Sequence, residues 1–169
     1  MAIFPGSAIP SAVSAYEIEN SLRFNEDDSA YLSWTPSGAG SDTKATVSVW
    51  IKVGHLTGNR LIYSTGPEGT GAAGANTSIE LRDNDIRLML NYPNDTTPIA
   101  EIVSSAVFRD PSAWYHLVVA WDTTEGTASD RIKTYVNNER ITSWSTSSFP
   151  ASEDQVMNVN HATPNNRVK

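Results

Sequence analysis

The chain has 169 residues and a net charge of -7, from 12 Lys and Arg against 19 Asp and Glu. That length suits one domain, and the cations are scattered singly with no basic stripe to neutralise phosphates, so neither nucleic acid nor anionic membrane is an expected partner. Cysteine is absent, which rules out disulfides and thiolate metal sites and leaves stability to packing.

The opening MAIFPGSAIPSAVSA has neither a basic segment nor an uninterrupted apolar one, so no ordinary secretion signal is expected. No later apolar run approaches the roughly 18 residues that span a bilayer. Residues 1–15 are small and apolar, and Pro5, Gly6 and Pro10 bar both a helix and a central strand. They read as an extended arm, with Ile3, Phe4, Pro5, Ile9 and Pro10 as the side chains that would anchor it.

From Tyr16 onward apolar side chains recur with a period of two, the spacing of a strand with one buried face. YEIENSLRFN predicts a first strand punctuated by Ile18, Leu22 and Phe24, and AYLSW follows the acidic turn at residues 25–28. In KATVSVWIKV, Val47, Val49, Ile51 and Val53 fall on one face, and Thr46, Ser48, Trp50 and Lys52 on the other. Further strands are predicted at RLIYST, NTSIELR, IRLMLNY, PIAEIVS, WYHLVVAW, RIKTYVN, ERITSW and, weakly, QVMNVN. Asn137-Asn138 fits a two-residue hairpin, because Asn tolerates positive φ. In FRDPSAW, Asp110 can cap a single helical turn opened by Pro111. Short strands without a convincing helix make an all-β, two-sheet antiparallel β-sandwich the expected fold over residues 16–169.

WYHLVVAWDTT is the densest apolar run. Leu117, Val119 and Trp121 point one way and His116, Val118 and Ala120 the other, which predicts a central strand covered on both sides. His116 and Asp122 share a face but stand roughly 20 Å apart along a strand, too far for a catalytic pair. His116 therefore reads as a core or sheet-face residue. GTGAAG at residues 69–74 satisfies G-x-G-x-x-G, yet a strand follows it, so no helix N-terminus awaits a pyrophosphate. It reads as a hairpin loop. Glu17 and Glu19 brush the spacing of glycosidase carboxylates, but a solvated strand face accounts for them better. NEDD, RDND and YPND offer oxygen ligands for calcium without EF-hand spacing, and turn formation explains them. His55, His116 and His161 form no spaced cluster. No catalytic residue, metal site or cofactor is expected.

Tryptophan stacks on the apolar face of a sugar, with nearby polar groups completing a surface. Trp34, Trp50 and Trp144, with Tyr92, Asn94 and Asp95 in a loop at residues 92–98, are the candidate glycan contacts. Residues 64–77 form a second candidate loop.

SLRFNEDDSAYLSWTP, TVSVWIKVG, VFRDPSAWYHLVVAWDTT and ASDRIKTYVNNERIT together resemble laminin-G-like, concanavalin A-type jelly-roll domains, and more narrowly the version found in virion proteins of tailed phages of marine bacteria and cyanobacteria. The resemblance implies a convex and a concave sheet used for carbohydrate or protein recognition rather than catalysis. It matches Tyr115, His116, Tyr135, Val136 and Asn137, and gives Trp50 and Trp114 a structural role. Asn138 stands where the pattern has Gly. The E-x-D-x-x-E strand of the hydrolytic relatives has no counterpart here. Related chains continue past HATPNNRVK with a further strand beside the first, so either a longer protein or a sheet edge completed by another chain is expected.

These readings combine in a non-enzymatic structural protein of the phage particle surface: a tail fibre, tail appendage or head decoration. Its partners would be other virion proteins, further copies of itself with a trimer favoured, and a host-surface glycan. The alternatives are a carbohydrate-binding module outside any virion, and a glycan hydrolase working through Glu17 and Glu19.

Overall fold

A computed structural model describes residues 20–25, 28, 30–38, 40–65, 77–83, 85–90, 99–157 and 166–168. The chain divides into two compact units, Met1–Ala30 and Tyr31–Lys169. In the first unit, residues 20–25 form no strand, contrary to the reading of YEIENSLRFN. Leu22 is 68% exposed, so the alternation there marks no buried face. The acidic turn is present: Asn25 Nδ2 donates to Asp28 Oδ2 at 2.9 Å, and the Asp28 N–H donates to the Asn25 carbonyl. Residues 1–19, and with them the arm, Glu17 and Glu19, lie outside the described residues.

The second unit contains β1 (Leu32–Trp34), β2 (Lys44–Lys52), β3 (Asn59–Thr65), β4 (Thr77–Arg82), β5 (Asp85–Leu90) and β6 (Ala100–Val107). These are followed by β7 (Trp114–Asp122), β8 (Ile132–Val136), β9 (Glu139–Arg140), β10 (Trp144–Ser148) and β11 (Asn166–Val168). One sheet runs β1-β11-β3-β4-β5-β6-β10 and the other β2-β7-β8-β9. Every pairing is antiparallel.

The core draws on both sheets, which makes the unit an all-β sandwich. Tyr63, Ile79, Leu81, Ala100 and Ile102 come from the larger sheet, and Leu117, Val119, Trp121 and Ile132 from the smaller. The alternation in KATVSVWIKV sets the division of β2: Val47, Val49 and Ile51 pack against this core, and Val53 just beyond the strand is buried.

Three segments differ from the sequence reading. ERITSW does not form one strand. Glu139–Arg140 closes a hairpin on β8, after which the chain crosses to the other sheet and pairs as β10 with β6. A bulge at Ser145 accompanies the crossing, and its hydroxyl donates to the Val103 carbonyl. Residues 155–157 of QVMNVN form a strap rather than a strand. The Met157 N–H donates to the Asp42 carbonyl, the Thr123 hydroxyl to the Gln155 carbonyl, and the Thr77 hydroxyl to the Met157 carbonyl. Asn166–Val168, which carries too short a pattern to predict a strand, pairs with both β1 and β3.

Two buried or turn-forming polar groups organise the loops. Arg131 is buried and donates to the carbonyls of Glu125 (2.8 Å), Pro150 (2.6 Å) and Gly126 (3.3 Å), so one guanidinium fastens the β7–β8 loop to the segment after β10. Before β7, Asp110 Oδ1 accepts from the N–H of Ser112 at 2.8 Å and from its hydroxyl at 2.5 Å. The cap falls where expected, but it closes a hydrogen-bonded turn, with the Ala113 N–H donating to the Asp110 carbonyl, rather than a helical one.

Adjacent positions on β7 separate the two faces energetically. Leu117 is fully buried, and Leu117→Ala is expected to lower unfolding free energy by about 3 kcal/mol. Val118 lies on the opposite face and is half-buried, so Val118→Ala should cost less than about 1 kcal/mol. Chemical denaturation of the two variants checks the contrast.

Candidate functional site

The four-stranded sheet has a second face, and its composition follows from register. In the β2–β7 ladder Ser48 lies opposite Val118, Trp50 opposite His116 and Lys52 opposite Trp114. In the β7–β8 ladder Val118 lies opposite Tyr135. Directly paired residues share a face, and the partners of the core residues Val47, Val49 and Ile51 are Val119, Leu117 and Tyr115. Trp50, Trp114, His116, Val118 and Tyr135 therefore stand together on the side away from the core. Trp50 is 51% exposed and Trp114 49%, while His116, Val118, Ala120 and Tyr135 are half-buried. β7 is central, between β2 and β8, as expected, but its outer face is only half covered. Its outer residues are apolar because they support one another and the neighbouring rings; among the described residues no second layer lies over them.

The centre of this face is held rigidly. The Trp50 indole stacks on the His116 imidazole with centroids 4.8 Å apart and planes at 14°. His116 Nε2 shares a hydrogen bond of 2.9 Å with the Ser48 hydroxyl, the donor depending on the imidazole tautomer. The His116 N–H donates to Asn137 Oδ1, and the Asn137 N–H donates to the His116 carbonyl, both at 2.9 Å. Asn137 and Asn138 have φ of 51° and 69°, the left-handed pair that a two-residue hairpin needs. The hairpin turn thereby fixes the residue on which Trp50 rests.

Charged side chains frame the rings, and three of the cations meet carboxylates. Lys44 pairs with Asp122 at 2.9 Å, Lys133 with Glu125 at 3.1 Å and Arg140 with Asp130 at 3.2 Å. Hydrogen bonds from the Thr124 hydroxyl and then Lys44 hold the Asp122 carboxyl below the usual carboxylate range. Bonds from Ser112 do the same for Asp110, and the Lys52 charge adds to that lowering.

A serine hydroxyl 2.9 Å from an imidazole has the spacing of a nucleophile–base pair. Among the described residues no carboxylate orients His116 from its other ring nitrogen, and the imidazole lies against Trp50. The arrangement offers stacking surface and hydrogen bonds. No group of three His, Asp or Glu placed to hold a metal occurs among the described residues.

The sandwich does not bring the three candidate tryptophans together. Trp34 is on β1, at one edge of the seven-stranded sheet, 44% exposed and 6.1 Å from the ring of Tyr63. Burial pushes the Tyr63 phenol up to about 12. Trp144 is on β10 at the far edge, half-buried against the core and edge-on to Phe149 at 6.1 Å. Six strand spacings, roughly 29 Å, separate the two strands. Trp50 belongs to the other sheet. Tyr92, Asn94 and Asp95 lie outside the described residues, as does most of the loop at residues 64–77. Sequence reasoning missed Trp114 and Tyr135 as surface residues and left His116 between core and sheet face, of which the structure shows the sheet face. The wet face of β2, with Thr46, Ser48 and Lys52, was the available signal, but it reaches β7 only once the pairing is known.

The hairpin makes the support testable. Asn137→Ala removes the acceptor for the His116 N–H and puts a Cβ-branched-free but left-handed-averse residue at φ of 51°, for an expected loss of about 2 kcal/mol. Asn138→Gly suits the turn and should change stability by no more than about 0.5 kcal/mol. Thermal unfolding of both variants reads the difference.

The laminin G 3 family model, described as the Concanavalin A-like lectin/glucanases superfamily, matches residues 25–163. No curated protein matches the chain. The match covers most of the chain and agrees with the two antiparallel sheets, so the chain belongs to the laminin-G-like family of the concanavalin A-like lectin/glucanase superfamily.

Proposed function

We propose that this chain is a non-enzymatic recognition domain that binds glycan through the open face of its four-stranded sheet. The observation that carries the proposal is Trp50: a large ring, 51% exposed, held flat by its stack on His116 rather than folded into the core. A pyranose presents a face of C–H groups that packs on such a ring, and immobilising the ring beforehand lowers the entropy cost of binding. Ser48 and Lys52 flank it and supply hydrogen-bonding groups for sugar hydroxyls. The lectin-like family supports the same reading.

The proposed setting is the surface of a tailed-phage particle, where the domain would meet host-surface glycan as part of a fibre, appendage or head decoration, assembled with further copies of itself. The resemblance of SLRFNEDDSAYLSWTP and ASDRIKTYVNNERIT to virion domains motivates this setting. Antibody raised against the sandwich should decorate intact particles in electron micrographs; unlabelled particles alongside labelled soluble protein would remove the virion part of the proposal.

On a glycan array, the wild-type chain is expected to give discrete positive spots. Trp50→Ala should weaken the strongest of them by about 1.5 kcal/mol, roughly tenfold in Kd. Trp144→Phe, altering a ring packed against the core at the other sheet's edge, should leave binding within about twofold. A blank array, or equal losses in the two variants, would overturn the assignment.

A further inference from the structure

The ring-bearing face of the four-stranded sheet differs in charge from the protein as a whole. The chain carries -7, and three outward cations at the margins of this face are each matched by a carboxylate. Lys44, Lys133 and Arg140 each meet a carboxylate at 2.9 to 3.2 Å. Lys52, opposite Trp114, is the fourth outward cation and the one nearest the rings in the ladder. A sulfated or uronate-bearing ligand would have to displace one of these three carboxylates to gain more than the single charge of Lys52, and a cationic ligand would compete with Lys44, Lys133 and Arg140 for them. The centre of the face offers aromatic rings, the Ser48 hydroxyl and Val118, none of which carries a fixed charge.

The rings also set the ligand's shape. Trp50 and Trp114 are diagonal neighbours across the β2–β7 ladder, since Trp50 pairs with His116 and Trp114 lies two residues before it. Such neighbours have Cα atoms about 7–8 Å apart, wider than one pyranose ring and within reach of two units of one chain. Both rings are about half exposed. They stand on the flat of a sheet, where an extended ligand can lie across both and a single sugar can use only one.

Resting on the glycan-recognition reading above, we infer that this face takes an uncharged, linear oligosaccharide, with Trp50 beneath one pyranose and Trp114 beneath a neighbouring one. Trp50 is the primary contact because His116 and Ser48 hold it. Trp114 is the second contact, and it extends recognition along the chain rather than creating it.

Calorimetric titration of the full chain with cello-, manno- and galacto-oligosaccharides from disaccharide to hexasaccharide tests the inference, with heparin and polygalacturonate as charged counterparts. Affinity for a neutral series should rise about tenfold with length as the second ring becomes engaged. It should change less than about twofold between 0.05 and 0.5 M salt, because no charge pair forms. Trp114→Ala should abolish the length dependence and leave disaccharide affinity in place, whereas Trp50→Ala should weaken every length. Preference for heparin or polygalacturonate with affinity falling in salt would overturn the inference while leaving glycan recognition standing. So would length-independent binding, or an unchanged length dependence in a Trp114→Ala protein whose thermal unfolding matches wild type. Binding to no glycan of either kind would remove glycan recognition itself and the inference with it.

Discussion

Nine consecutive residue pairs, from Lys44 opposite Asp122 to Lys52 opposite Trp114, decide which side of the four-stranded sheet is dry. Strand side chains alternate with a period of two, so this register sends Val47, Val49 and Ile51 with Val119, Leu117 and Tyr115 to the core. By the same step it sends Ser48, Trp50, His116 and Val118 outward. A slip of one residue would bury Trp50 and Lys52 and expose the valines, at the cost of most of the core contribution of β2. Apolar burial and the outer face are therefore products of one constraint. The ion pair between Lys44 and Asp122 marks the end of the ladder in this register, but as an exposed pair it adds little to the energy that the core supplies.

The ends of the sandwich are secured differently, by backbone groups satisfied from unusual partners. Arg131 brings three loop carbonyls to one buried guanidinium, and the strap at residues 155–157 exchanges bonds with Asp42, Thr77 and Thr123. A loop buried without such partners would leave polar groups unpaired. Glu125 and Asp130, which neutralise Lys133 and Arg140, belong to the same β7–β8 connection that Arg131 fastens. Loop order and the charge balance of the open face are linked through that side chain.

Much of the fold was legible because alternation is a local property. KATVSVWIKV assigns the inner and outer residues of β2 without reference to any partner, and Asn137-Asn138 announces its hairpin through the conformational tolerance of asparagine. What could not be read depends on pairing. WYHLVVAW looks equally apolar on both sides, and only the exposure of Trp114 and of Trp50 beside it in the ladder shows that one side is open. ERITSW looks like one strand because its change of sheet is dictated by distant partners, Thr134 before the break and β6 after it. The same limit governed the site. Trp34, Trp50 and Trp144 were equivalent as letters, but one is a sheet edge, one a platform and one core packing. His116 acquired its role only when the register set it under Trp50.

The β2–β7 register is most directly measured by cross-strand nuclear Overhauser contacts in isotopically labelled protein. Backbone contacts joining Trp50 to His116 and Val47 to Val119 are the result this account requires. Contacts placing Val49 or Ile51 opposite His116 would turn the outer face inward and contradict it.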